Sequence, residues 1–147
     1  MKLLLTFILV VLAFTSCQRT SNSAVHQADS IWKPYSKQAA LESIKHNKPI
    51  IIDFYADWCP NCHDLDRTVF SRADVQAKLA KVTALRMDVT NQDDPQVQQI
   101  IQEYDIEGVP TVILFDGKGR EIPESRVMGL VTPEEFLQAL GLMGVLK

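Results

Sequence analysis

Ile50-Ile51-Ile52-Asp53-Phe54-Tyr55-Ala56-Asp57-Trp58-Cys59-Pro60-Asn61-Cys62-His63 is the stretch on which the reading of the chain turns. Its first half is an apolar run of β-branched and aromatic residues, the composition of a strand buried on both faces of a parallel sheet. One carboxylate, Asp53, interrupts it. Its second half sets two cysteines one helical turn apart, with Pro60 directly after the first. Proline suits the first turn of a helix, where a missing N–H costs nothing. The stretch therefore predicts strand, tight turn and helix, with Cys59 at the amino end of the helix. Unpaired backbone N–H groups and the positive end of the helix dipole favour a thiolate there. The pair reads as a redox dithiol.

Upstream, Met1-Lys2 precedes an apolar run from Leu3 to Phe14 broken only by Thr6. That run is shorter than the ~20 residues a membrane-spanning helix needs, and with small residues after it residues 1–16 read as an export signal. Phe14-Thr15-Ser16-Cys17 resembles the lipobox of bacterial lipoproteins, with Phe14 standing where Leu, Val or Ile is usual. Cleavage before Cys17 and lipidation of its sulfur would account for the odd member of three cysteines in an exported chain. Ordinary cleavage nearby, leaving Cys17 a free thiol, is the alternative. Residues 17–30, rich in Ser, Gln, Asn and Thr, read as a tether, and the folded domain is expected over 31–147. Loss of Lys2 would take the net charge from −3 to −4. No basic block exists, which argues against nucleic acid as a partner.

Order should begin near Ile31-Trp32. Ser36 can cap a helix to about His46, with Ala39, Ala40, Ile44 and Leu41 on its apolar side. The central strand runs from Pro49 to Ala56. The helix after the cysteines turns Leu65, Val69 and Phe70 inward, and Ser71-Arg72-Ala73-Asp74 resembles a capping box opening a further helix through Leu79. Val82 to Val89 reads as a strand. Asp94-Pro95 opens a helix to about Tyr104. Thr111 to Phe115 is a strand, Asp116-Gly117-Lys118-Gly119 a turn, and Arg120 to Ile122 its hairpin partner. Thr132-Pro133-Glu134-Glu135 starts the last helix, toward Leu142. Alternating strands and helices imply an α/β fold with parallel pairing, to which the late hairpin adds an antiparallel edge.

The segment Asp53 to Cys62 resembles the active-site segment of thioredoxins, and Gly108-Val109-Pro110-Thr111 the segment that carries their cis-proline. The fuller likeness is to the C-terminal periplasmic thioredoxin-like domain of the DsbD family of thiol–disulfide interchange proteins. Tyr55 to Cys59, Phe115-Asp116-Gly117 and Arg126-Val127-Met128-Gly129 carry it, over roughly residues 31–142. The resemblance implies a thioredoxin-like fold, a central mixed sheet flanked by helices, and transfer of electrons to protein disulfides. His63 departs from that family, which usually has lysine after the second cysteine. The family's membrane domain has no counterpart in this sequence, so the resemblance implies a separate membrane thiol carrier as electron donor. Oxidised envelope proteins are the implied acceptors, on the periplasmic side of a bacterial envelope, with lipidated Cys17 as the anchor.

In the redox reading, Cys59 is the nucleophile and the more exposed sulfur, and Cys62 resolves the mixed disulfide. No cofactor beyond the Cys59–Cys62 disulfide is needed. A purely structural bridge is the alternative, but so short a loop contributes only about 2 kcal/mol in the chain-entropy model. Cys59-Pro60-Asn61-Cys62-His63 also matches the c-type haem attachment pattern, with His63 as the proximal ligand and Met87 or Met128 on the far side. Against it stands the buried strand that precedes the motif, since such haem sites lie among helices. Cys59, Cys62 and His63 are too few for a closed zinc site, so no metal is expected.

By resemblance, Asp53 matches a buried acid behind the second cysteine. Desolvation would raise its pKa and suit it to relay a proton for Cys62; a paired or half-exposed carboxylate is the alternative. The likeness assigns Trp58, Pro60, Val109 and Pro110 to the partner-binding face, with a cis peptide at Val109-Pro110 offering the backbone of Val109 to an extended segment. Trp58 as core filler is the alternative. Asp57, Asp64 and Asp66 disfavour a thiolate and so favour the disulfide, while a protonated His63 acts in the opposite sense. These effects oppose one another. It is the resemblance to the DsbD family that implies a reductase, with a disulfide oxidase or isomerase, or a non-catalytic binding module, as the other readings.

Overall fold

The computed structural model describes residues 31–144. The expected signal 1–16, Cys17 and the tether 17–30 lie outside the described residues, as do residues 145–147. Strands β1 (Lys33–Pro34), β2 (Ile50–Tyr55), β3 (Thr83–Asp88), β4 (Thr111–Phe115) and β5 (Val127–Met128) form one mixed sheet in the order β1-β3-β2-β4-β5. Helices α1 (Lys37–Lys45), α2 (Pro60–Leu65), α3 (Ala73–Leu79), α4 (Pro95–Glu103) and α5 (Pro133–Gly141) pack against it.

Side-chain alternation along β2 builds two apolar layers. Ile51 joins Ala84, Val112 and Leu114 under Leu65, Val69 and Phe70, the α3 residues Val75 and Leu79, and the α5 residues Phe136 and Leu140. Ile50, Ile52 and Phe54 join Leu85 and Ile113 beneath α1 and α4, which contribute Ala39, Ala40, Ile44, Val97, Ile100 and Ile101. Each large side chain so buried contributes about 1.5–3 kcal/mol. The caps at Ser36, Asp94 and Thr132 form as the sequence predicts, Thr132 with a full capping box to Glu135.

Five local expectations are corrected. First, β2 pairs in parallel with β3 but antiparallel with β4, Phe54 facing Thr111. Alternation of strand and helix does not fix direction, and the loops on either side of α4 let the chain enter β4 from the end at which it left β3.

The other four are more local. Arg120 to Ile122 makes a single bridge, Phe115 to Glu121, before Pro123 removes a donor and Glu124 turns at φ 60°. The ladder on β4 goes instead to β5. Beyond α2 the helix widens into a π turn, Asp66–Phe70, closed by the Ser71 N–H on the Asp66 carbonyl at 3.0 Å. Ser71 is therefore spent on that turn, its hydroxyl donating to the Arg67 carbonyl, and Arg72 occupies the cap position of α3. Leu41 lies exposed on α1.

Candidate active site

The antiparallel pairing brings two chain ends to one edge of the sheet. β2 runs out into Ala56 to Cys59, and β4 begins just after Val109-Pro110. Val109 packs against the same apolar cluster as Cys59, Cys62, Phe54, Ala56 and Val89.

The loop between β2 and α2 is pinned at several points. The Cys59 N–H donates to the Ala56 carbonyl at 3.0 Å. Thr90, just past β3, accepts the Asp57 N–H on its hydroxyl at 2.9 Å and the Trp58 indole N–H on its carbonyl at 3.1 Å. Trp58 is thereby held with 56% of its surface exposed, and is not core filler. His63 lies exposed on α2, and its Nε2–H donates to the Asp57 carbonyl at 2.8 Å, tying the helix back to the loop.

Cys59 has extended backbone (φ −94°, ψ 104°) and caps α2 with sulfur, its Sγ accepting the Cys62 N–H at 3.1 Å. Pro60 follows in the first turn. This donor and the helix terminus both favour negative charge on Cys59. Cys59 and Cys62 are joined as a disulfide, their Cα atoms 5.3 Å apart. Both are only 3% exposed, so Cys59 is not the more open of the two. Each packs into the apolar cluster that closes the end of the sheet.

Asp53 is buried and paired at once. Arg86, opposite it in register on β3, donates from Nε to Asp53 Oδ2 at 2.8 Å. The same guanidinium pairs with Asp66, reaching its Oδ2 at 3.3 Å. It lies over the rings of Tyr55, Trp32 and Phe70 at 4.8, 5.2 and 5.8 Å. Burial pushes the Asp53 carboxyl up to about 6, against the downward pull of Arg86. Its Oδ1 has no hydrogen-bond partner among the described residues. Asp66 closes α2 with its N–H on the Cys62 carbonyl, so the charged trio stands one turn from the second sulfur. Asp66 is thus matched by Arg86 and Asp64 by Arg67, which leaves Asp57 as the exposed carboxylate beside the pair.

The Val109-Pro110 peptide is cis. A groove of about 340 Å³ and an open cleft running over Pro110 to Met128 both take in Val109. Met128 and Leu130 stand exposed beside that cleft, Met128 at 62%.

Cys59, Cys62, Trp58, Pro60, Asp57 and His63 thus come together on one loop and helix. Val109 and Pro110 share their end of the sheet, and Asp53 lies one layer below. Cys17 is outside the described residues. Arg86 and Thr90 were missed. A cation within the β3 run was the available signal for Arg86, since it matched the lone carboxylate of the adjacent strand. Among the described residues no group of three or more His, Cys, Asp or Glu side chains is arranged to hold a metal ion, and no helix is long and apolar enough to cross a membrane.

Comparison with known proteins agrees with this geometry. A family model described as a thioredoxin-like domain matches residues 36–144. The thiol:disulfide interchange protein DsbD of Yersinia enterocolitica is 40% identical over 103 residues, 70% of this chain and 18% of that protein. The DsbD of Photorhabdus laumondii is 38% identical over 94 residues, 64% of this chain and 16% of that protein. The chain spans about a fifth or less of these relatives. Among solved structures, the reduced C-terminal domain of DsbD from Neisseria meningitidis has a TM-score of 0.63 at 26% identity, covering 71% of this chain and 90% of that one. A thioredoxin from Thermus thermophilus has a TM-score of 0.64 at 25% identity, covering 78% and 86%. With its mixed five-stranded sheet, cis-proline and paired cysteines at a helix start, the chain belongs to the thioredoxin-like family and has the character of its DsbD-related thiol–disulfide oxidoreductase domains.

Proposed function

We propose that this protein is an exported, lipid-anchored protein-disulfide reductase. It takes electrons from a membrane thiol carrier and passes them to oxidised proteins of a bacterial envelope. The observation that carries the thiol–disulfide exchange in this reading is the placement of Cys59 as a sulfur cap on α2, beside an exposed Trp58 and the cis-proline edge. The direction rests on the likeness to DsbD.

In the reduced protein the Cys59 thiolate attacks one sulfur of a partner disulfide, and the partner's other sulfur leaves as a thiolate that takes up a proton. Cys62 then gives up its proton and attacks Cys59 Sγ. The second partner sulfur leaves as a thiolate and is protonated in turn. Two electrons have passed to the partner, and Cys59–Cys62 is left as the disulfide. Asp53 serves as the proton acceptor for Cys62, which its raised pKa and its unpaired Oδ1 support. Val109 offers its backbone to the partner segment, a form of strand addition supported by a peptide N–H and C=O without partners among the described residues. Pairing of Asp66 with Arg86 removes one of the charges that would oppose the thiolate, so His63 and Asp57 are the exposed groups that tune the pair. Cys17 carries the lipid, and residues 17–30 give the domain reach from the membrane.

Reduction of insulin that is lost in Cys59→Ala tests the activity, and Cys62→Ala, which traps mixed disulfides, identifies the acceptors. An unmodified Cys17 in the mature protein by mass spectrometry would remove the anchor. The hydrogen bond from the Cys62 N–H to Cys59 Sγ favours a second reading, an oxidase or isomerase, because whatever stabilises the thiolate destabilises the disulfide. An equilibrium potential near −270 mV, about that of thioredoxin, supports the reductase; one near −120 mV, about that of DsbA, supports the oxidase.

A further inference from the structure

We infer that Glu107 selects the partner, by admitting a basic side chain of the disulfide-bearing segment into the groove beside Val109. This deepens the reductase reading and rests on it. The groove and the cleft over Pro110 meet at Glu107, Gly108 and Val109. They share Val109, whose peptide N–H and C=O have no partner among the described residues. A segment that adds along Val109 would have both depressions within reach of its side chains.

The groove has a mixed lining. Val89, Ile101, Ile106 and Val109 supply its apolar surface, and three glutamines, at 92, 98 and 102, with Glu107 its polar one. Glu107 is the only charged residue lining either depression. It has no ion-pair partner among the described residues. Arg126, which feels its charge, is already engaged by the Glu121 carboxylate and the carbonyls of Tyr104 and Asp105. Asp57, two residues before Cys59, is also exposed and adds negative charge. A long aliphatic stem ending in a cation fits such a lining, because it covers apolar surface while its head stays at the carboxylate. An acidic side chain at the same place would meet repulsion from Glu107, since the nearby Arg126 is already engaged by Glu121.

The test uses the full chain, fully reduced, in single-turnover reactions with homodimeric peptide disulfides. The peptides carry one cysteine each and differ in a single Lys, norleucine or Glu, placed in turn at the three positions on either side of it. Each rate is divided by that of the norleucine peptide for the same protein. The wild type should favour Lys over Glu by about threefold or more at the position that reaches the groove, within the span of a solvent-accessible ion pair. Glu107→Gln should erase that ratio, Glu107→Lys should invert it, and about 0.5 M salt should compress it in the wild type. Equal ratios in all three proteins, with every peptide reduced, would overturn the role of Glu107 and leave the reductase reading standing. No reduction of any peptide by the wild type would overturn that reading and, with it, this one.

Discussion

Arg86 Nε donates to Asp53 Oδ2 at 2.8 Å across neighbouring strands, and the same guanidinium closes on Asp66 just beyond the dithiol helix. One cation thus serves two carboxylates inside a cage of three aromatic rings. The arrangement ties the proton affinity of Asp53 to the packing of α2. It also makes Asp53 a buried acid whose ionisation works against the fold.

The sign of that effect is fixed by linkage. The Asp53 pKa rises from 3.8 to about 6 on folding, so between those values the folded state holds the proton more tightly than the unfolded chain. Its contribution to stability is fully present below pH 4 and is lost as pH rises through about 6. In Asp53→Asn that loss is absent. The stability difference between variant and wild type should therefore shift toward the variant by on the order of 2–3 kcal/mol from pH 4 to pH 8, by urea denaturation of the oxidised protein. A flat difference across that range would contradict the assignment. In turnover, the same substitution should slow resolution of the mixed disulfide.

Arg86→Met removes the cation but leaves both acids, and an uncompensated buried charge is costly. A loss of about 3 kcal/mol or more at pH 7 is expected. Asp53→Asn in the same chain should restore part of it, and the two changes should be non-additive. Additive costs in a double-mutant cycle would show that the pair is not coupled.

His63→Ala removes the ring N–H that holds the Asp57 carbonyl. One such bond is worth about 1 kcal/mol. Hydrogen exchange at the amides of Asp57, Trp58 and Cys59 should quicken about fivefold if they exchange by opening of this loop. Unchanged exchange there, with exchange in the sheet also unchanged, would mean that the ring does not secure the loop.

Trp58→Ala removes a side chain that is mostly exposed, held through its indole N–H. Stability should fall by no more than about 1 kcal/mol, the worth of that bond. The second-order rate with insulin should fall further than that with a small linear disulfide. Equal losses on both would place Trp58 in the loop's support instead of on the partner face.

Much of this architecture was legible in the residues. The cysteine helix, its buried strand and the caps at Ser36, Asp94 and Thr132 were local features, and local chemistry decided them. The direction of β4 was not local. It depended on which end of the sheet the chain re-entered after α4, which no local pattern records. The π turn was hidden because Leu65, Val69 and Phe70 suit a regular helix equally well; only packing shows the extra residue. Arg86 looked like an ordinary interruption of β3 until register set it beside Asp53. The near-total burial of Cys59 was hidden too, since exposure depends on what surrounds the helix terminus.

That burial separates what the pair prefers at equilibrium from how fast it reacts. Sulfurs with 3% of their residues' surface open to solvent meet dissolved oxidants and small thiols rarely. On the proposed function, a protein docked over Trp58 and the cis-proline edge would bring its own disulfide to them. In the proposed reductase, reducing equivalents held in this way would be insulated from the surrounding redox pool and released on contact with a fitting surface. Such a reductase would act less as a buffer than as a courier.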